Sequence, residues 1–322
     1  MRSLFRARNI PFFATLLVCA LLYVSAALRY EHFFSWGVFI NFFRENAPLG
    51  IASVGLTFVI LSGGIDLSVG SVITCTGIFI ATLAQHGWDP SAAMGLALLL
   101  GAIFGFVMGC LIHFFQLAPF LVTLAGLFLA RGIASVISLR SIGLSHRTFD
   151  WLSAASVPVT EEVTFPLAAI VFMGVVVVGA LIATFTPFGR NVYAIGGDEH
   201  SAVLMGLPVG RTKIAIYTLS GFCSALAGVV YSVSVGSGNA TAAVGLELDA
   251  IAAVVIGGTL LTGGVGSIAG TLVGVMILAI IGTALIFEGT LSSWWARIII
   301  GALLLIFIAL QKLLARRTDA AH

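Results

Sequence analysis

Three short stretches hold the residues of this chain that could do chemistry. In LSGGIDLSVGS, residues 61–71, the adjacent Gly63 and Gly64 stop one helix, and Asp66 and Ser68 follow. Asp66 then stands near the start of the next helix, where its carboxylate can accept backbone N–H bonds and meet the positive dipole end. An acid inside lipid points by default to a solute path or gate; a plain helix cap is the favoured reading, and proton coupling would need a second buried acid or His that the sequence does not obviously offer. In TGGVGSIAG, residues 262–270, Gly263 and Gly264 make a second break. Ser62-Gly63-Gly64-Ile65 aligns with Thr262-Gly263-Gly264-Val265, and Gly70 with Gly270, a trace of internal symmetry. The third stretch, GRNVYAIGGDEHSAVLMGLPVGRTK, residues 189–213, is a polar island. It carries Arg190, Asp198, Glu199, Arg211 and Lys213 between runs, 163–189 and 214–246, that hold no other Asp, Glu, Lys or Arg.

None of this is a catalytic set. The histidines are scattered without metal spacing, and there is no G-x-S-x-G, H-E-x-x-H or G-x-x-x-x-G-K-[ST]. The four cysteines, Cys19, Cys75, Cys110 and Cys223, fall in apolar runs without C-x-x-C spacing and read as small buried hydrophobes. The chain is therefore expected not to be an enzyme and to need no cofactor; an energy-driven process would draw on a partner or on an ion gradient.

The elements that position the three stretches follow from composition. Of 322 residues, 60% are hydrophobic and 9% charged, with a mean hydropathy of +1.14. A soluble domain of this size would carry about a quarter charged residues, so the solvent is membrane lipid. The net charge of +2 gives no reason to expect nucleic acid. The fold class is all-α: a polytopic membrane helical bundle with about ten transmembrane helices and broken or re-entrant elements, forming one domain over 1–322. The expected spans are 10–28, 46–62, 67–85, 93–114, 119–138, 165–186, 213–234, 248–262, 267–287 and 294–312. The glycine clusters cut the second, third, eighth and ninth. Arg2, Arg6 and Arg8 before an apolar stretch, with Ser25-Ala26-Ala27 beyond it, resemble a signal peptide; an uncleaved first span fits the length of the stretch better.

Basic residues orient the bundle. With both termini cytoplasmic, the inner segments hold Arg2, Arg6, Arg8, Arg190, Arg211, Lys213, Lys312, Arg316 and Arg317, and the outer ones only Arg29, Arg44, Arg140 and Arg147. The outer loop 139–164, with Trp151, Glu161 and Glu162, is either a docking surface for an extracellular partner or a solvated connector. Arg131 and Arg297 are expected to snorkel from span ends, Trp294 and Trp295 to sit in an aromatic belt, and Glu247 and Asp249 to cap the eighth span.

Within the island, residues 199–206 read as part of a helix of about three turns, delimited by Gly196-Gly197 and Leu207-Pro208, with Ala202 and Gly206 on one face at i and i+4. A small-residue face admits close approach by another protein; a surface helix without a partner is the plain reading. The stretch resembles the coupling loop, about 187–213, of permease subunits in ATP-driven importers, which carries a degenerate E-A-A-x-x-x-G motif. Ala202 and Gly206 keep its spacing, Glu199 sits one position early and Ser201 replaces the first Ala. LSGGIDLSVGS and the run 247–267 are similar to the monosaccharide permeases of ribose, xylose and arabinose importers, and the closing run 289–311 resembles most a permease of the galactofuranose-type importer.

The resemblance implies a bacterial inner-membrane permease paired with an identical or sister chain. It also implies cytoplasmic ATPase subunits gripping Gly196, Gly197, Glu199, Ala202 and Gly206, and a periplasmic sugar-binding protein outside. The helix breaks at Gly63, Gly64, Asp66, Ser68, Gly263 and Gly264 then belong to the translocation path. The competing reading is an ion-coupled secondary transporter in which Asp66 titrates. A membrane-embedded hydrolase would need a second acid at the depth of Asp66. A branched-chain amino acid permease of the same superfamily is a further possibility, against which GGIDLSVG speaks by resemblance.

Overall fold

The computed structural model describes residues 10–158, 163–290, 292 and 294–319. Arg2, Arg6, Arg8, Glu161, Glu162 and His322 lie outside the described residues, and the side chains of Lys312, Arg316 and Arg317 are likewise not described. Fourteen helices run in order: α1 (Ile10–Arg29), α2 (Trp36–Glu45), α3 (Ala47–Leu61), α4 (Val69–Gln85), α5 (Pro90–Phe114), α6 (Pro119–Ile137), α7 (Arg147–Ala154), α8 (Leu167–Phe185), α9 (Pro187–Gly197), α10 (Glu199–Leu204), α11 (Val209–Val235), α12 (Leu246–Ile256), α13 (Ile268–Glu288) and α14 (Trp294–Asp319).

Each of the ten expected spans contains a helix, but they are not equal. Six described helices (α1, α5, α6, α8, α11 and α13) are long and apolar enough to cross a bilayer. α3, α4 and the described apolar part of α14 are shorter. The expected eighth span is the largest departure. α12 has 11 residues, about 16 Å of helix against a hydrocarbon core of about 30 Å. It cannot span alone, because Gly257 and Gly258 end it early.

α3 is apolar on every side, and its residues from Ala47 to Leu61 are buried but for Leu49. A helix without a polar face belongs at the centre of a bundle, and α11, α8, α12 and α13 surround it. α5 and α11 approach through a stripe in GAIFGFVMG. A Cβ on Gly101 would stand 2.8 Å from the Gly221 carbonyl oxygen, and one on Gly109 at 2.8 Å from Ile214 Cα. Small residues four apart let backbones meet where no hydrophobic effect drives helices together.

The loop 139–164 is more than a connector. Strand β1 (Ile142–Gly143) pairs antiparallel with β4 (Ser237–Gly238), and β2 (Ser156–Pro158) with β3 (Thr164–Pro166). Phe149 of α7 is buried. The loop thus lies folded on the bundle beside the end of α11.

The segment from Gly238 to α12 turns inward rather than running along the surface. Gly238 packs on Gly77, Thr74 Oγ1 donates to the Ala242 carbonyl at 2.6 Å, and the Glu247 side chain reaches Gly70 in the first turn of α4. α12 therefore begins beside the start of α4, inside the bundle.

Candidate functional site

The two glycine breaks and the polar island meet at one place. Gly63 (φ +80°), Gly263 (φ +87°) and Gly264 (φ +75°) occupy the left-handed region that only glycine enters without strain. The Gly264 N–H donates to the Leu61 carbonyl at 2.9 Å, tying the second break to the last turn of α3. A Cβ on Gly263 would stand 2.8 Å from Gly63 N and 2.9 Å from Gly196 Cα; one on Gly264 would stand 2.9 Å from Gly197 N. Five glycines that sequence reasoning placed in two separate sites, Gly63, Gly196, Gly197, Gly263 and Gly264, thus form one junction, while Gly64 packs on Tyr217 and Val59. Tyr193 Oη donates to the Gly266 carbonyl at 3.0 Å, and the Phe188 ring lies 5.9 Å from that of Phe58. α9 is thereby fastened to both breaks.

Asp66 lies just above this junction and is 1% exposed. Its Oδ1 accepts from Ser68 N at 2.9 Å and Ser68 Oγ at 2.6 Å, and its Oδ2 accepts from Ser220 Oγ of α11 at 2.7 Å. The cap position of α4 falls to Ser68. Asp66 closes the turn before the helix and ties it to α11, which suits a structural role.

The sequence reading found no second buried acid. The structure corrects this: Glu247 is 9% exposed, its Oε2 has no hydrogen-bond partner, and it lies against Gly70, four residues along from Asp66. The signal was faint because Glu247 is also in the first turn of α12, where an acid needs no further explanation.

Arg131 and Arg297 both approach the inward segment. Arg131 Nη1 donates to the Ala242 carbonyl at 3.1 Å and so anchors the inward segment. Arg297 lies over the Trp294 ring at 5.1 Å and approaches Gly245, where an added Cβ would be 3.9 Å from its Nη2. Arg131 is thus held by protein, whereas Arg297 is exposed.

The island is not one helix of three turns. α9 ends at Gly197, Asp198 caps α10 by accepting from Ser201 N at 2.5 Å, and α10 stops after six residues. That backbone N–H in particular holds the Asp198 carboxyl below the usual carboxylate range. Lys213 Nζ pairs with Glu199 Oε1 at 2.6 Å, bracing α10 on α11. The two small residues of the expected face part company, Ala202 facing inward and Gly206 exposed. Ala202 is buried among Ile195, Val209 and Leu207, and Gly206 lies beyond the helix at φ +76°. What the loop exposes is Val203, Leu204 and Met205, of which Leu204 is 75% exposed.

A large cavity of about 660 Å³ lies between α4, α5 and α6, lined by groups such as Val72, Phe104, Met108 and Leu129. Its wall is almost wholly hydrocarbon and offers a hydroxylated solute nothing. Among the described residues no group of three His, Cys, Asp or Glu side chains is placed to hold a metal.

A bundle of broken helices, fastened to a short helix pair that projects from it, has the form of a transport permease. Residues 38–308 match the family described as "Branched-chain amino acid transport system / permease component". The chain belongs to this family. It is 48% identical over 306 residues to the inner membrane ABC transporter permease protein YjfF of Escherichia coli K12, covering 95% of this chain and 92% of the relative. It is 38% identical over 309 residues to the fructose import permease protein FruG of Bifidobacterium longum, covering 94% and 91%. It is 38% identical over 279 residues to the ribose import permease protein RbsC of Bacillus subtilis, covering 85% and 84%. No solved structure matches.

Proposed function

We propose that this chain is the membrane-spanning subunit of an ATP-binding-cassette importer that moves a monosaccharide into a bacterial cell. Membership of the permease family supports the class. The sugar follows from the relatives, whose names carry fructose and ribose rather than an amino acid. Among sugars a furanose such as galactofuranose remains the reading of the closing run 289–311, on resemblance.

The glycine junction is the observation that carries the mechanism. α9 and α10 take the load from a cytoplasmic ATPase through Val203, Leu204 and Met205. Because Gly196 and Gly197 are wedged against Gly63, Gly263 and Gly264, a push on α10 reaches α3, α12 and α13 without a flexible link between. Packed interfaces of this kind switch between discrete arrangements rather than deforming continuously, which suits a path that opens alternately to either side. An identical or sister permease completes the path, a periplasmic sugar-binding protein delivers solute, and both termini are cytoplasmic.

The test is reconstitution into vesicles with and without the ATPase. Sugar uptake should require both ATP and the ATPase; uphill uptake on an ion gradient by the permease alone would replace this reading with the secondary transporter.

A further inference from the structure

The inward segment 238–249 and the start of α14 form a second site that the coupling argument does not use. Within one neighbourhood stand the Trp294 ring with the Arg297 guanidinium over it, the Gly245 backbone beside that guanidinium, and Asp249, in electrostatic reach of both Arg297 and Glu247. Depth can be read from α13. Gly274 packs on Ala253 and Gly270 on Gly257 in antiparallel register, which places Leu246 level with residue 281, seven residues short of the outer end of α13. That is about 10 Å below that end, inside the apolar layer. Yet Arg297 is exposed, and Val244 and Leu248 beside it are 58% and 61% exposed. By the same register the Asp249 carboxyl lies deeper still, where an acid is costly against lipid and belongs to the bundle interior or a water-filled cavity.

Resting on the importer reading, we infer that Trp294, Arg297 and Asp249, with the backbone of Gly245, form a contact site for a neutral, polyhydroxylated solute on the outer half of the path. An aromatic face covers the C–H side of a sugar ring, and a guanidinium with a carboxylate supplies donors and acceptors to its hydroxyls without selecting for net charge. Arg131 is a positioning residue: it holds the segment through the Ala242 carbonyl.

The test uses the full-length chain in membrane vesicles with its four native cysteines replaced by Ala and one new cysteine introduced. A charged, water-soluble thiosulfonate should label Val244→Cys and Leu248→Cys about tenfold or more faster than Val178→Cys on the exposed side of α8, because a thiol in apolar surroundings stays unreactive. Ribose, fructose or galactose, offered singly, should slow the labelling of Leu248→Cys. That protection should disappear in Arg297→Ala and Trp294→Ala and persist in Trp294→Phe; Arg297→Lys should recover part of it. The native-cysteine chain carrying Arg297→Ala should raise the KM for ATP-driven uptake more than it lowers kcat, a readout independent of the cysteine background. Equal, slow labelling at all three positions would make this face lipid-exposed and overturn the proposal. Fast labelling without protection by any of the three sugars would overturn the sugar contact. In either case ATP-dependent uptake by the unmodified complex would leave the importer reading standing.

Discussion

Asp66 shows how one side chain can hold three elements. Its two oxygens accept three hydrogen bonds, two from Ser68 and one from Ser220, with no water needed. Ser220→Ala removes the only one that crosses to α11, and a hydrogen bond to a carboxyl in such a place contributes about 1.5–3 kcal/mol. Thermal unfolding in detergent should show that loss, while uptake at low temperature survives. If Asp66 is instead a coupling acid, Asp66→Asn would uncouple transport from an ion gradient; the importer reading expects uptake to remain strictly ATP-dependent in that variant. Asp198 gives a pH expectation. Its carboxyl is depressed in the folded loop, chiefly by the Ser201 N–H. The cap on α10 is therefore fully present above the ordinary carboxylate pKa and is lost as pH falls through the lower, folded value. ATPase stimulation should weaken on acidification in that window, and Asp198→Asn, which keeps an acceptor but does not titrate, should flatten the profile.

At the scale of elements, the junction is where substitution is least tolerated. Gly264→Val imposes a side chain on a left-handed backbone (φ +75°) and drives it into Gly197; the φ strain alone is about 1–3 kcal/mol. The variant should accumulate poorly in the membrane, and a wild-type level of active protein would remove the close-packed junction from the mechanism. Leu204→Glu acts differently. Leu204 is 75% exposed, so the variant should insert normally and lose ATPase stimulation, measured as sugar-dependent phosphate release. Ala202 was the residue the motif singled out, but its burial makes Ala202→Glu a folding defect instead, visible as lost expression.

At the scale of the molecule, the importer reading sets orientation and pairing. A tag after His322 should resist protease added to intact cells, and cleavage from outside would invert the bundle. Purification from membranes should bring along an ATPase and a second permease chain, whose mass decides between an identical and a sister subunit.

The sequence by itself determined the solvent, the class and the break points. Scarcity of charge leaves only lipid as surroundings, apolar runs set where helices form, and paired glycines stop them wherever they fall, because these are local consequences of composition and backbone freedom. Tertiary structure alone decided which breaks touch. Gly63, Gly196 and Gly263 are far apart in the chain, and a glycine carries no side chain by which a distant partner could be foreseen. It also decided that α12 is a half-length helix starting beside α4, which turned Glu247, Arg131 and Arg297 from residues at span ends into neighbours of one inward-turning segment. Depth in a membrane protein depends on how far a segment is drawn inward by its packing. That is a property of the whole bundle, and no window of residues contains it.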